Sequence, residues 1–272
     1  MRLMNGCEPE GENVIQVYLL EVGGLRLQME ETGSGKFIQN AAALPGWDKL
    51  TAWQQEKVAG CARPGTRAQS MGGQLLLQYG AHRKALTKSS QDAPIRWRQL
   101  SYPQLLEEIF SPLPLQVAYA PGGKPFIRQV PWHYNLSHSG DYVALAVSDV
   151  PVGIDIQQML PYKESLVKRF FAQEEAAVFE SGVSVNNLER ELTEGSSPGT
   201  ALFYRLWCRK EAYGKLKGTG LTEDVLKRNM LKDTGMRLYE YGEIPGYYVC
   251  VCCEEEGRRY EMPNEAGGQE LR

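Results

Sequence analysis

Residues 203–218, FYRLWCRKEAYGKLKG, constrain this chain more than any other stretch. They predict one helix that carries Trp207, Glu211 and Lys215 at steps of four. Residues four apart share a helical face, so an aromatic, a carboxylate and a cation form one stripe. At roughly 100° per residue, Leu202, Leu206, Tyr213 and Leu216 are expected on the opposite side. A carboxylate beside a lysine can hold a hard cation and a phosphate together. The plain alternative is a surface Glu211–Lys215 pair, worth about 0.3–0.5 kcal/mol. Gly218 supplies a natural helix C-terminus.

The rest of the composition narrows the ligand class. A chain of 272 residues suffices for one large domain or two small ones sharing an interface. The net charge of −3 argues against a general nucleic-acid binder. From Arg205 to Lys217, however, Arg205, Arg209, Lys210, Lys215 and Lys217 face only Glu211. That local excess suits an anionic small molecule. The N-terminal residues are polar, and no run approaches the roughly 18 apolar residues of a membrane span. Six cysteines in a chain this long do not make a disulfide framework. Cys250, Cys252 and Cys253 are expected as reduced strand cysteines, and a cytoplasmic location follows.

Along the chain, residues 13–22 predict an opening strand and residues 70–80 a helix, with Gly72 and Gly73 permitting close packing. Residues 112–127 predict strand, turn, strand about Pro121-Gly122-Gly123. Residues 132–149 predict a loop feeding the strand YVALAVS. In the strand 151–158, Val152, Ile154 and Ile156 share one face, and Gly153, Asp155 and Gln157 the other. Residues 163–180 predict one amphipathic helix, or two meeting near Phe171. Residues 181–200 look like a mobile connection, and the final dozen residues look frayed. Each half opens with a strand, passes through helices and closes with strands. The expected division is 1–150 and 151–272, an α+β chain with a faint internal repeat.

Three further segments carry chemistry. Asp155 between isoleucines is unusual because aspartate is a poor strand former; a guarded edge strand explains it equally well. Gly153 beside it leaves room for a ligand to approach the backbone. Asn135-Leu136-Ser137-His138-Ser139 reads as a polar turn or as a loop able to cradle a phosphate. A hydrolase triad is disfavoured, because no G-x-S-x-G turn is present. Gly122-Gly123-Lys124-Pro125 projects a lysine from a rigid turn, without the spacing of a Walker loop.

Taken in order, Gly123-Lys124-Pro125, Asn135-Leu136-Ser137-His138-Ser139, Val152-Gly153-Ile154-Asp155-Ile156, Phe171-Ala172-Gln173-Glu174-Glu175 and Trp207-Cys208-Arg209-Lys210-Glu211 through Lys215 closely resemble the 4′-phosphopantetheinyl transferases. The larger, pseudo-dimeric surfactin type is the nearest pattern. The resemblance covers about residues 120–220.

The resemblance implies two similar α/β halves packed as a pseudo-dimer within a monomer. It implies transfer of the 4′-phosphopantetheine arm of coenzyme A to a serine of an acyl or peptidyl carrier protein, with release of 3′,5′-ADP. Asp155 and Glu211 would hold Mg²⁺. Glu211 would also take the serine proton, and Lys215 would touch the pyrophosphate. Ser137 and His138 would meet the nucleotide end, with Lys124 along the adenosine or phosphate path. A basic residue near 60–85 would reach the 3′-phosphate, Arg67 being a candidate beside Arg63, His82 and Arg83, with Gln69 a possible occupant of the slot. One departure stands out: surfactin-type members often carry a glutamate where this chain has Gln157, which could still ligate through its amide oxygen, without charge. No nucleic acid or membrane partner is implied. Two competing readings are an inactive coenzyme A or carrier-binding protein and a magnesium-dependent nucleotide phosphohydrolase.

Overall fold

The computed structural model describes residues 14–31, 44–86, 94–109, 111–181, 197–232 and 235–254. The anticipated mobile connection lies, but for its ends, outside these residues, as do the polar N-terminus and the anticipated frayed C-terminus. The described residues form an α+β structure around two main sheets. Strands β1 (Ile15–Glu21), β2 (Ile95–Leu100), β5 (His133–Ser139) and β6 (Tyr142–Ser148) build the first, in the order β2-β1-β6-β5. Strands β7 (Val152–Gln158), β8 (Met236–Tyr241) and β9 (Tyr247–Glu254) build the second, in the order β7-β9-β8. Among the described strands, only β1 and β2 run parallel. A small hairpin of β3 (Val117–Tyr119) and β4 (Pro125–Ile127) carries the expected Pro-Gly-Gly turn.

Strand alternation sets the layers. Ile15, Val17, Leu19, Ala144 and Ala146 of the first sheet meet Val152, Ile154, Ile156, Val249 and Val251 of the second in one dry core. The opposite face of the first sheet is covered by helix α3 (Pro64–Leu86), against which α1 (Gly23–Glu31), α2 (Ala52–Ala59) and α4 (Tyr102–Glu108) pack. Gly72 lets α3 approach closely: a Cβ there would stand 2.6 Å from Val22. The opposite face of the second sheet is covered by helix α7 (Pro198–Lys217). Around α7 lie α5 (Glu164–Phe170), α6 (Gln173–Ser181) and the single turn α8 (Glu223–Leu226). The chain does break into two helices at Phe171.

Two expectations are corrected here. The long helix begins at Pro198, five residues before the predicted start. Ser197 caps it by accepting from Thr200 N, and proline occupies the first turn, where its missing N–H costs nothing. The segment 133–139 is no loop but the edge strand β5.

Gly153 proves to be a packing residue. A Cβ there would lie 2.1 Å from the Ala212 carbonyl oxygen and 2.5 Å from Leu216 N. The glycine brings α7 against β7, so the room beside Asp155 is filled by helix backbone rather than by a ligand. Cys208, Ala212 and Leu216, at steps of four, complete this contact against Tyr248, Cys250 and Cys252.

Candidate active site

Strand β7 and helix α7 meet where the sequence predicts a carboxylate on each. Asp155 projects from the α7 face of β7 and is 1% exposed. Its Oδ1 accepts from Lys215 Nζ at 2.7 Å and from Ser137 Oγ at 2.8 Å. Its Oδ2 accepts from Gln157 Nε2 at 3.0 Å. Lys215 Nζ also donates to Ser137 Oγ at 2.8 Å. The structure therefore gathers Asp155, Lys215, Ser137 and Gln157 into one hydrogen-bonded cluster.

Glu211 stands one turn before Lys215 on α7, half-buried, and makes no hydrogen bond or ion pair with a described residue. Burial raises its carboxyl above the ordinary range; the Asp155 charge adds to this, and Lys215 opposes it. Two carboxylates that repel one another, one of them without a protein donor, form an electrostatic deficit that a dication would fill. No cluster of three or more His, Cys, Asp or Glu suited to a metal occurs among the described residues. Two carboxylates are nevertheless a fitting set for magnesium, which commonly takes one or two of them and completes its shell with phosphate oxygens and water.

Trp207, the third member of the stripe, belongs to an aromatic wall. It stacks on Phe203 with centroids 6.0 Å apart and meets Phe171 edge-on at 6.4 Å. The helix is thus apolar on more than one side. Leu202 and Leu206 pack toward Phe171 and Val167, while Leu216 packs on the sheet.

The basic excess on α7 is compensated within the fold. Arg205 and Arg209 both pair with Glu240 at 2.8 and 2.7 Å. Burial pushes Glu240 up, but the two guanidiniums outweigh it and bring it to about 2. Lys210 pairs with Glu175, Lys215 with Asp155, and Lys217 with Glu254. Each of these five cations has a carboxylate partner within the fold. The sequence pattern alone gives Lys210 and Glu175 no role. Their signal was the pairing of the Phe171–Glu175 segment with the Lys210-Glu211 dipeptide.

The remaining candidates are more dispersed. His138 lies on the other face of β5 from Ser137 and is exposed. Partial desolvation, then the Lys215 charge, holds its imidazole below the ordinary histidine range. Arg67 is buried in α3 and donates Nη2 to Cys61 O at 2.7 Å. Gln69, weighed for the same slot, donates to Gly140 O at 2.8 Å.

Lys124 turns inward. Its ammonium donates to the carbonyls of Val152 and Leu216, both at 3.0 Å, and so braces the start of β7 against the end of α7. Gly218, at φ 69°, ends that helix and packs on the Lys124 side chain. Burial lowers the Lys124 pKa to about 8. The folded value lies below the unfolded one of about 10.5, so the charged form is disfavoured in the fold. Stability therefore rises between pH 8 and 10.5 relative to a chain lacking this group, by about 2–3 kcal/mol at most. Urea unfolding of the protein and of Lys124→Met across that window should show the protein gaining stability relative to the variant as pH rises. Parallel pH curves would remove the effect.

The five described cysteines, Cys61, Cys208, Cys250, Cys252 and Cys253, are free thiols. No helix among the described residues is long and apolar enough to cross a membrane.

Comparison with known proteins adds an independent line. Residues 151–262 match the model of the 4′-phosphopantetheinyl transferase superfamily. The 4′-phosphopantetheinyl transferase psf-1 of Bacillus pumilus is 41% identical over 144 residues, which cover 48% of this chain and 57% of that protein. The 4′-phosphopantetheinyl transferase Sfp of Bacillus subtilis strain 168 is 30% identical over 150 residues, 48% of this chain and 59% of the relative. AcpT of Escherichia coli K12, also named a 4′-phosphopantetheinyl transferase, is 37% identical over 137 residues, 49% of this chain and 64% of the relative. The chain thus spans between half and two thirds of the length of these relatives. The likeness to the 4′-phosphopantetheinyl transferase superfamily, read first from the order of five short motifs, holds across the half of the chain that carries β7 and α7.

Proposed function

We propose that this protein transfers the 4′-phosphopantetheine arm of coenzyme A to a serine of an acyl or peptidyl carrier protein, releasing 3′,5′-ADP. The observation that carries this reading is the meeting of Asp155, Lys215 and Glu211 at the junction of β7 and α7. The names of the relatives support the reaction class. Magnesium, held by Asp155 and Glu211, would supply charge neutralisation at the pyrophosphate. Phosphoryl transfer otherwise asks mainly for positioning and electrostatics.

The chain's own residues meet those needs. The phosphorus–oxygen bond to the departing nucleotide breaks as the serine oxygen bonds to phosphorus, and the serine proton must leave. Glu211 is suited to take it, since a raised carboxyl pKa makes a better base. Lys215 brings the fixed positive charge that a pyrophosphate leaving group requires. Gln157 presents its amide N–H to Asp155, so its part here is to orient that carboxylate; as a ligand it would have to turn its Oε1 inward.

The two-half architecture belongs to the same reading, with halves 1–150 and 151–272. In each, the opening strand pairs with the last strand, and the last with the one before it: β1-β6-β5 and β7-β9-β8. Each half also lays one long helix on its outer sheet face. Such a pseudo-dimer needs no second copy, so a monomer is expected. Reduced thiols fit a cytoplasmic location.

The test is mass spectrometry of apo-carrier proteins after incubation with coenzyme A and Mg²⁺. The expected result is a gain of one phosphopantetheine arm on the carrier serine, with 3′,5′-ADP in solution. Nucleotide release without carrier modification would indicate a phosphohydrolase. Binding without either product would indicate an inactive coenzyme A or carrier-binding protein.

A further inference from the structure

The β5–β6 hairpin turns on Gly140 and Asp141, between Ser139 and its ladder partner Tyr142. Gly140 has a φ of 53°, which suits glycine at the first position of a two-residue hairpin turn. Such turns usually project into solvent, but this one is held from both sides. From the helices of the first sheet, Arg26 of α1 donates Nε to Asp141 Oδ1 at 2.8 Å and Nη2 to Oδ2 at 3.3 Å. Val22 N, just before α1, donates to Asp141 O at 2.7 Å. From the second sheet, Tyr247 Oη of β9 accepts from Asp141 N at 2.9 Å. The Tyr247 ring meets Tyr142 edge-on, with centroids 4.7 Å apart. The approach demands glycine a second time: a Cβ on Gly140 would stand 2.3 Å from Tyr247 Oη and 2.6 Å from Gln158 Oε1.

The turn bears on the site through β5. That strand is the edge of its sheet, and no backbone ladder joins it to β7 among the described residues. Asn135, Ser137 and Ser139 instead accept from the backbone N–H groups of Ile154, Ile156 and Gln158 at 2.9, 3.3 and 3.0 Å. Ser137 also bonds to Asp155 and Lys215. Tyr247 in turn pairs with Gln158 in the β7–β9 ladder, on the same strand as Asp155. One hydroxyl of the second sheet therefore pins the end of a first-sheet strand that reaches the candidate site.

We propose that Tyr247 is a positioning residue acting between the two sheets: its hydroxyl, opposed by the Arg26–Asp141 ion pair, clamps the β5–β6 turn and sets how β5 lies against β7 at Asp155. This inference rests on the proposed transferase reading for its kinetic consequence, and on the structure alone for its hydrogen bonds. The clamp is two-sided. Arg26 holds the turn toward α1 and Tyr247 holds it toward β9, and both act on Asp141. Losing either one frees the turn to follow the other, so their effects are coupled rather than additive.

The experiment compares Tyr247→Phe, which keeps the ring and removes only the acceptor, with Arg26→Gln and the double variant. NMR amide exchange is followed at Asp141, alongside steady-state kinetics with varied coenzyme A. Asp141 exchange should accelerate roughly tenfold or more in Tyr247→Phe, as expected for one lost hydrogen bond. Turnover should fall roughly 3- to 30-fold in each single variant, while KM for coenzyme A stays within about twofold. The double variant should fall within about twofold of the weaker single one. Unchanged Asp141 exchange would overturn the clamp, and losses that multiply in the double variant would overturn its shared action. Accelerated exchange with unaltered kcat would leave a purely structural bond and overturn the positioning role. So would a raised KM at constant kcat, which would make Tyr247 a substrate contact. If the unaltered protein modifies no carrier, the transferase reading fails, and amide exchange still decides the clamp.

Discussion

Glu211→Gln is expected to abolish carrier modification while leaving the protein at least as stable as before. Both halves of that expectation come from one fact. Glu211 is half-buried, meets no donor among the described residues and lies in the field of Asp155, so its carboxyl is raised. A group whose folded pKa is raised stabilises the fold when protonated and loses that contribution as pH climbs through the folded value. At neutral pH its charge is therefore a cost to folding, and an amide of the same shape removes the cost. What the amide cannot supply is an anionic ligand or a base, and the rate should drop by roughly 10²–10³-fold or more. Asp155→Asn should be equally inactive but differently disturbed. Its amide oxygen still accepts from Ser137 and Lys215, while the lost charge leaves Lys215 without its counter-ion. A moderate loss of stability is expected there. The measurements are the carrier mass shift and the urea midpoint of each variant. Full transfer by either one would sink the site assignment.

This decoupling bears on what a sequence discloses. The faces of Asp155 on β7 and of Glu211 and Lys215 on α7 were legible, because helical and strand periods alone fix them. The turn about Gly123 and the stop at Gly218 were legible from glycine chemistry. The meaning of Gly153 was not. A glycine beside a candidate ligand looks the same whether a cofactor or a helix approaches, and here the helix does. β5 was misread as a loop because Asn, Ser, His and Ser have turn preferences; their use as acceptors for a neighbouring sheet is a tertiary fact. The start of α7 was hidden by Ser197-Pro198-Gly199, which suits a loop as well as a capped first turn. What balances the cationic excess of α7 was not legible, for a non-local reason. Its neutralising partners Glu240 and Glu254 lie on strands distant in sequence, and Glu175 lies on another helix.

The second large effect concerns that last partner. Lys210 and Glu175 are both wholly buried and 2.7 Å apart. Glu175 also accepts from Ala172 N at 2.9 Å, closing the first turn of α6, and from Met230 N at 2.7 Å. Lys210 donates in turn to Arg228 O at 2.5 Å. One carboxylate and one ammonium thus tie α6, α7 and the segment 228–230. Burial pulls the Lys210 pKa down, and the hydrogen bond and charge of Glu175 only partly restore it. The pair as a whole therefore contributes little net stability, yet breaking it strands a buried charge. Lys210→Met and Glu175→Gln should each lower unfolding free energy by about 3–5 kcal/mol. The double replacement Lys210→Met with Glu175→Leu should recover only part of this, because the amides of Ala172 and Met230 then lose their acceptor, at about 1–3 kcal/mol each. Recovery to the original stability would mean that the two backbone bonds carry nothing. Single variants within 1 kcal/mol of the parent by urea unfolding would mean that the buried charge is relieved, by water or by neutralisation. Because Lys210 directly precedes Glu211, the same lock fixes the rotation of α7 about its axis. Transfer activity should therefore fall in these variants even at temperatures where they remain folded.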